Sequence, residues 1–168
     1  MARPDFEING SRIKAGERAV VNVSLPGLYT ETPVNMPVHV VHGKREGPVL
    51  FVSAAVHGDE INGVEIIRRL LLQPQLQKLR GTLLVVPIVN VFGFHNQSRY
   101  LPDRRDLNRS FPGREQGSLA GRLAHLFLNE VVMHADFGID LHTAAIHRDN
   151  LPQIRADMST ETLVPLAK

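Results

Sequence analysis

The sequence predicts an α/β domain with a mixed, largely parallel sheet flanked by helices. Apolar runs at residues 49–56 and 82–90, and a shorter one at 137–142, alternate with amphipathic stretches at 64–71 and 119–132. That order is the pattern of parallel strands joined by helical crossovers. At 168 residues the chain is long enough for one compact domain and too short for two ordinary ones.

Each element has its own signal. Residues 19–25 alternate polar and apolar positions and turn at Pro26-Gly27, which reads as a strand whose membership in the main sheet is open. Residues 36–41 form a second strand, closed by the polar turn 42–48. The run 49–56 is apolar almost throughout, as expected of a strand buried on both faces, and leads into His57-Gly58-Asp59-Glu60. Val64, Ile67, Leu70 and Leu71 recur at helical spacing until Gln73-Pro74 ends the run. After the strand 82–90, residues 91–117 are rich in Gly, Pro, Asn, Asp and Arg and lack a period, so they read as a long loop. Loops of this length inside a compact domain are usually functional. Leu119, Leu123, Leu126, Phe127, Val131 and Val132 then mark a helix.

Composition narrows the function classes. With 43% hydrophobic and 21% charged residues the chain is expected to fold as a globular protein, and no apolar run approaches the roughly 18 residues of a membrane span. No signal-peptide pattern opens the chain and there is no cysteine, which excludes disulfides and thiolate metal sites and suggests a cytoplasmic location. A net charge of only +2 gives no nucleic-acid footprint despite a pI near 9.3, so neither a nucleic-acid nor a membrane partner is expected. Arg99, Arg104, Arg105, Arg109 and Arg114 do cluster in the loop, but only Tyr100 and Phe111 could interleave as stacking groups. Arg104, Arg105 and Arg114 read as solvated loop charges.

In α/β folds the ligand site lies beyond the carboxyl ends of the strands, where the chemistry-bearing residues of this chain fall. A histidine at a strand end and a glutamate three residues on can converge on one ion, with Gly58 permitting the sharp turn between them. Taken alone, the four residues read more readily as a strand-end histidine and a carboxylate favoured by a helix dipole. His142, in Asp140-Leu141-His142-Thr143, shifts that balance, although an Asp-x-His pair on one strand face also makes a local hydrogen bond without any metal. His39, His42, His125, His134 and His147 read as structural or exposed; position alone leaves His95 open as a ligand.

His57-x-x-Glu60, Arg99-Tyr100, Asp106-Leu107-Asn108-Arg109 and Asp140-Leu141-His142-Thr143 occur in one order. From about Val38 to Pro152 this pattern resembles the succinylglutamate desuccinylase/aspartoacylase family, within the zinc carboxypeptidase-like superfamily. The resemblance implies that His57, Glu60 and His142 ligate one zinc ion, that Arg99 polarises the scissile carbonyl, and that Asn108 and Arg109 hold the substrate's carboxylate. It also implies that Asp106 orients the His57 imidazole. The implied reaction is hydrolysis of the amide of a small N-acyl amino acid by metal-activated water, with a glutamate as base. Zinc carboxypeptidases acting on peptides share the Asn-Arg pair; the 82 residues from Glu60 to His142 favour the deacylase. A noncatalytic module that binds acidic small molecules is the alternative from another class.

In that family the general-base glutamate lies well downstream of the third ligand. Here 26 residues follow His142, and Glu161 is the sole glutamate among them. The expectation is an N-terminal, zinc-binding piece of a longer catalytic domain that keeps the metal and carboxylate sites and lacks the base. Self-association through exposed sheet edges is a further expectation.

Overall fold

The computed structural model describes residues 3–27 and 30–167. Among these described residues seven strands form two sheets: β1 (Phe6–Ile8), β2 (Ser11–Ile13), β3 (Arg18–Ser24), β4 (Asn35–His42), β5 (Arg45–Ala54), β6 (Arg80–Val86) and β7 (Phe137–Leu141). The main sheet has the order β3-β4-β6-β5-β7. Strands β6, β5 and β7 run parallel, while β3 and β4 pair antiparallel along the β6 side. The sheet is therefore mixed, and the alternating segment 19–25 does join it, as an edge strand. The long apolar runs became the two interior parallel strands, β5 and β6, whereas β7 lies at the edge with its middle residues exposed.

Side chains alternate across the sheet with a period of two, which divides the interior. Leu84, Val86, Val38 and Val40 face a core built with α3 (Leu119–Glu130), whose Leu119, Leu123, Ala124 and Phe127 lie on one helical face. Leu83, Val85, Val52 and Ala54 face the other side, where Ile67 of α1 (Asn62–Leu71) and Leu76 cover them. Ser118 caps α3 by accepting a hydrogen bond from the Gly121 N–H.

Three segments differ from the sequence expectation. The polar stretch 42–48 is mostly strand: β5 starts at Arg45, and its first four residues are solvent-exposed, so they carry no apolar signal. The stretch 91–117 contains a short helix, α2 (Val91–His95), whose N-terminus is capped by the Asn90 side chain, and a single helical turn at Leu107–Arg109. Both are too short to display a period. The hairpin β1–β2 turns at Asn9 and Gly10, which have φ of 45° and 71°. These are the left-handed positions of a tight hairpin turn, which an Asn-Gly pair supplies. No helix among the described residues is long and apolar enough to cross a membrane.

Candidate metal centre

The carboxyl end of β5 delivers the first residues of the site. Ala55, directly after the strand, has φ 50°, a left-handed conformation that costs a residue with a Cβ about 1–2 kcal/mol. It is held there by the segment after β6: Val89 N–H donates to Ala54 O (3.0 Å) and Asn90 N–H to Ala55 O (2.9 Å). The expected turn between His57 and Glu60 is present, closed by the Glu60 N–H donating to His57 O at 3.1 Å, but Gly58 needs no positive φ in it; the left-handed residue is Ala55. Gly58 serves close approach instead. A Cβ there would lie 2.0 Å from the Gly93 carbonyl carbon and 2.3 Å from the Phe94 nitrogen of α2. Glu60 lies just before α1 rather than in its first turn.

Three side chains converge. His57 Nδ1 is 2.7 Å from Glu60 Oε1, and His142 Nδ1 is 2.9 Å from Glu60 Oε2. One ligand atom from each of His57, Glu60 and His142 lies within 4.8 Å of the others. Ligand bonds of about 2.0–2.1 Å in a tetrahedron require donor atoms roughly 3.3 Å apart, so the histidine–glutamate gaps need to open by only about half an ångström. The donor set of two imidazoles and a carboxylate suits zinc, and the geometry fits it. His57 and Glu60 are almost fully buried, which limits the water competing for the site.

The remaining atoms of these groups are also engaged. His57 Nε2 is 3.2 Å from Asp106 Oδ1, and His142 Nε2 is 2.6 Å from Asp140 Oδ2. A carboxylate on the far nitrogen would keep the proton at Nε2 when Nδ1 gives up its own and turns its lone pair to an ion. The Thr143 N–H donates to Glu60 Oε2 at 3.0 Å. Arg99 bridges the buried Glu60 and the partly buried Asp106: Nη1 donates to Glu60 Oε1 (3.2 Å), and Nε donates to Asp106 Oδ2 (3.1 Å). Asp106 also accepts the Asn108 N–H (2.9 Å), which fixes the turn carrying Asn108 and Arg109.

The charges follow from these contacts. Burial alone would raise the Glu60 carboxyl, but hydrogen bonds from His142, His57 and the Thr143 N–H outweigh it and hold the group well below the usual range. Burial likewise opposes ionisation of Asp106, and the charges of His57 and Arg99 prevail, lowering it. Hydrogen bonds to Asp140 and then Glu60 raise the His142 imidazole to about 10. Without an ion the cluster is thus an anionic carboxylate held by cations. An ion taking its place must displace a proton from His142.

The seven residues singled out in the sequence do not all lie equally deep. His57, Glu60, His142, Asp106 and Arg99 form one bonded cluster. Asn108 and Arg109 stand on its rim, and the Arg109 side chain is 85% exposed, with its Nε 4.0 Å from Asp106 Oδ2. His95 lies exposed on α2, outside the cluster. His42 is buried between Thr82 Oγ1 (2.8 Å) and the Pro4 carbonyl (3.0 Å), a structural role. The contact of Thr143 N–H with Glu60 has no sequence signal, because any residue type except proline would supply that donor.

Residues 46–165 match the model of the succinylglutamate desuccinylase/aspartoacylase catalytic domain. A curated relative, the N-alpha-acetyl-L-2,4-diaminobutyric acid deacetylase of Halomonas elongata, is 32% identical over 120 residues, covering 71% of this chain and 35% of its own length. Among solved structures, a succinylglutamate desuccinylase/aspartoacylase from Rhodobacter sphaeroides superposes with a TM-score of 0.69 at 32% identity, over 76% of this chain and 40% of that one. The product-bound ectoine utilization protein EutE from Ruegeria pomeroyi gives 0.70 at 28% identity, over 84% and 43%. The chain thus spans well under half the length of these relatives. The fold, the ordered motifs and the match over most of its length place this chain in the succinylglutamate desuccinylase/aspartoacylase family.

Proposed function

We propose that this chain is the N-terminal, zinc-binding part of a deacylase catalytic domain that hydrolyses the amide bond of small N-acyl amino acids. The observation that carries the reading is the convergence of His57 Nδ1 and His142 Nδ1 on Glu60, with a carboxylate behind each imidazole. His57, Glu60 and His142 would hold one zinc ion. Bound there, zinc supplies Lewis acidity, which polarises a carbonyl and makes water acidic near neutral pH.

The other residues act around that point. Arg99 is only 30% exposed and is fixed by Glu60 and Asp106, so its guanidinium is preorganised to stabilise negative charge developing on the scissile carbonyl oxygen. Asn108 and Arg109 face solvent on the rim, where a guanidinium fork and an amide can grip the substrate's carboxylate. Glu60, Asp106 and Asp140 are each committed to a histidine, so the general base is a group outside this cluster. A relative named for deacetylating an acetylated diamino acid supports a small N-acyl amino acid as the substrate class.

Metal analysis of the purified protein, beside its His57→Ala and His142→Ala variants, tests the first half. One zinc per chain, lost in either variant, is expected; a wild-type protein that takes up no zinc would overturn the reading. N-acetyl amino acids and peptides compared as substrates of the whole enzyme test the second half. Faster cleavage of peptides would transfer the proposal to a carboxypeptidase.

A further inference from the structure

The partner of His142 is itself anchored in the sheet. In the parallel pairing of β5 with β7, Ser53 stands opposite Asp140. The Ser53 hydroxyl donates to Asp140 Oδ1 at 2.7 Å, and Asp140 Oδ2 lies 2.6 Å from His142 Nε2. Ser53 is fully buried, whereas the side chains of Asp140 and His142 are each about one-third exposed, at 33% and 34%. A histidine one residue past an edge strand, and that open to water, has little packing to fix its ring: the His57 ring meets it edge-on at 5.0 Å. One edge contact leaves most of the ring's orientation to hydrogen bonds, and the bond to Asp140 is the shortest it makes.

We infer that Ser53 and Asp140 form a positioning relay for the third metal ligand, running from the buried centre of β5 through Asp140 to the His142 imidazole. Ser53 takes up one carboxylate oxygen, which fixes the Asp140 rotamer. The other oxygen holds the proton at His142 Nε2, so that Nδ1 is presented to the ion with its lone pair free. Asp140 thereby does for His142 what Asp106 does for His57. The two relays differ in their anchor: Asp106 is held by the Arg99 guanidinium and a backbone N–H, Asp140 by a hydroxyl from the neighbouring strand. Neither Ser53 nor Asp140 touches the ion or the substrate. The relay is set by strand register, because sliding β7 by one residue against β5 would turn Asp140 to the opposite face.

The inference rests on the proposed zinc site, and the test separates the two. Zinc affinity is measured by competition with a chromophoric chelator for the wild-type protein and for Asp140→Ala, Asp140→Asn and Ser53→Ala. Urea unfolding of each metal-free protein runs alongside. Loss of such a carboxylate weakens metal binding by about 10- to 100-fold, so Asp140→Ala is expected to fall in that range. Asp140→Asn, which keeps an acceptor for Nε2, is expected to recover part of the loss. Ser53→Ala is expected to weaken binding in the same direction by less. A purely structural role for Asp140 would move the urea midpoint and leave the affinity of the folded protein unchanged, which would overturn the relay. Should Asp140→Ala fail to fold, Asp140→Asn and Ser53→Ala decide: affinities equal to wild type in both refute the inference. Absence of zinc binding in the wild type would refute the metal site itself, and the relay with it.

Discussion

Replacing Gly58 by alanine tests whether close backbone approach, rather than a turn, is what this position requires. The added Cβ would meet the Gly93 carbonyl carbon at 2.0 Å, its oxygen at 2.3 Å and the Phe94 nitrogen at 2.3 Å. All three are backbone atoms, so no flexible side chain can give way. Nor can Gly93 retreat cheaply, because the Asn90 side chain accepts its N–H at 2.8 Å and its own carbonyl accepts the Ser98 N–H at 2.9 Å. Relief requires α2 and the 57–60 loop to separate by more than an ångström, which draws Arg99 away from Glu60. Overpacking of this kind costs about 1–3 kcal/mol, and a backbone obstacle places Gly58→Ala at the upper end. The assay is urea unfolding, with Gly27→Ala as control. Among the described residues Gly27 has nothing within 4 Å of its hypothetical Cβ, and its φ is not positive, so its substitution should change stability by no more than about 1 kcal/mol and in the favourable direction. Gly58→Ala is also expected to weaken zinc binding. Equal stability of Gly58→Ala and Gly27→Ala would refute the reasoning.

Removing Asp106 as Asp106→Ala takes away the acceptor for His57 Nε2 and one of the two acids that hold Arg99; zinc affinity should drop about 10- to 100-fold, read by chelator competition. Ser118→Ala deletes the cap that accepts the Gly121 N–H and should cost about 1 kcal/mol in urea unfolding without altering metal content. On α1, hydrogen bonds from Arg68 and Arg69 pull the Glu65 carboxyl down to about 2 from an ordinary value of 4.5. A lowered folded-state value means stability present above about 4.5 and lost as pH falls toward 2. Glu65→Gln should therefore trail the wild type at pH 7, and the gap should close on acidification; a gap that persists at pH 2 would contradict the assignment.

The strands and long helices were legible wherever burial imposed a period or a run. Residues 49–56 and 82–90 stand out because β5 and β6 lie inside the sheet, and Leu119, Leu123 and Phe127 because α3 buries one stripe. What escaped was set by single residues or by distant pairing. The hairpin β1–β2 has strands of three residues, too short for alternation to register, although Asn9-Gly10 is itself a turn signal. Helix α2 spans five residues, and its cap, Asn90, reads in sequence as the end of a strand. Within the site, His57, Glu60, His142, Asp106 and Arg99 follow from their motifs. The Ser53–Asp140 contact does not, since it depends on the register of two strands 87 residues apart in sequence.

Sheet order explains why Glu60 is the hub of the cluster. The three segments that build the site leave the carboxyl ends of β6, β5 and β7, which lie side by side in that order. The loop after β5 is therefore in the middle. On the β6 side it meets Arg99 and Asp106, and on the β7 side His142 and Thr143. The two oxygens of Glu60 divide along the same line: Oε1 takes His57 and Arg99, and Oε2 takes His142 and the Thr143 N–H. A carboxylate is suited to this position because its two oxygens accept from both directions at once, which an imidazole cannot do. The left-handed Ala55 and the Cβ-free Gly58 bring that loop down onto α2, so the strain and the close approach serve the same placement. Parallel strands with adjacent carboxyl ends thus do more than bury apolar surface here. They bring residues from positions 57 to 143 within reach of a single carboxylate.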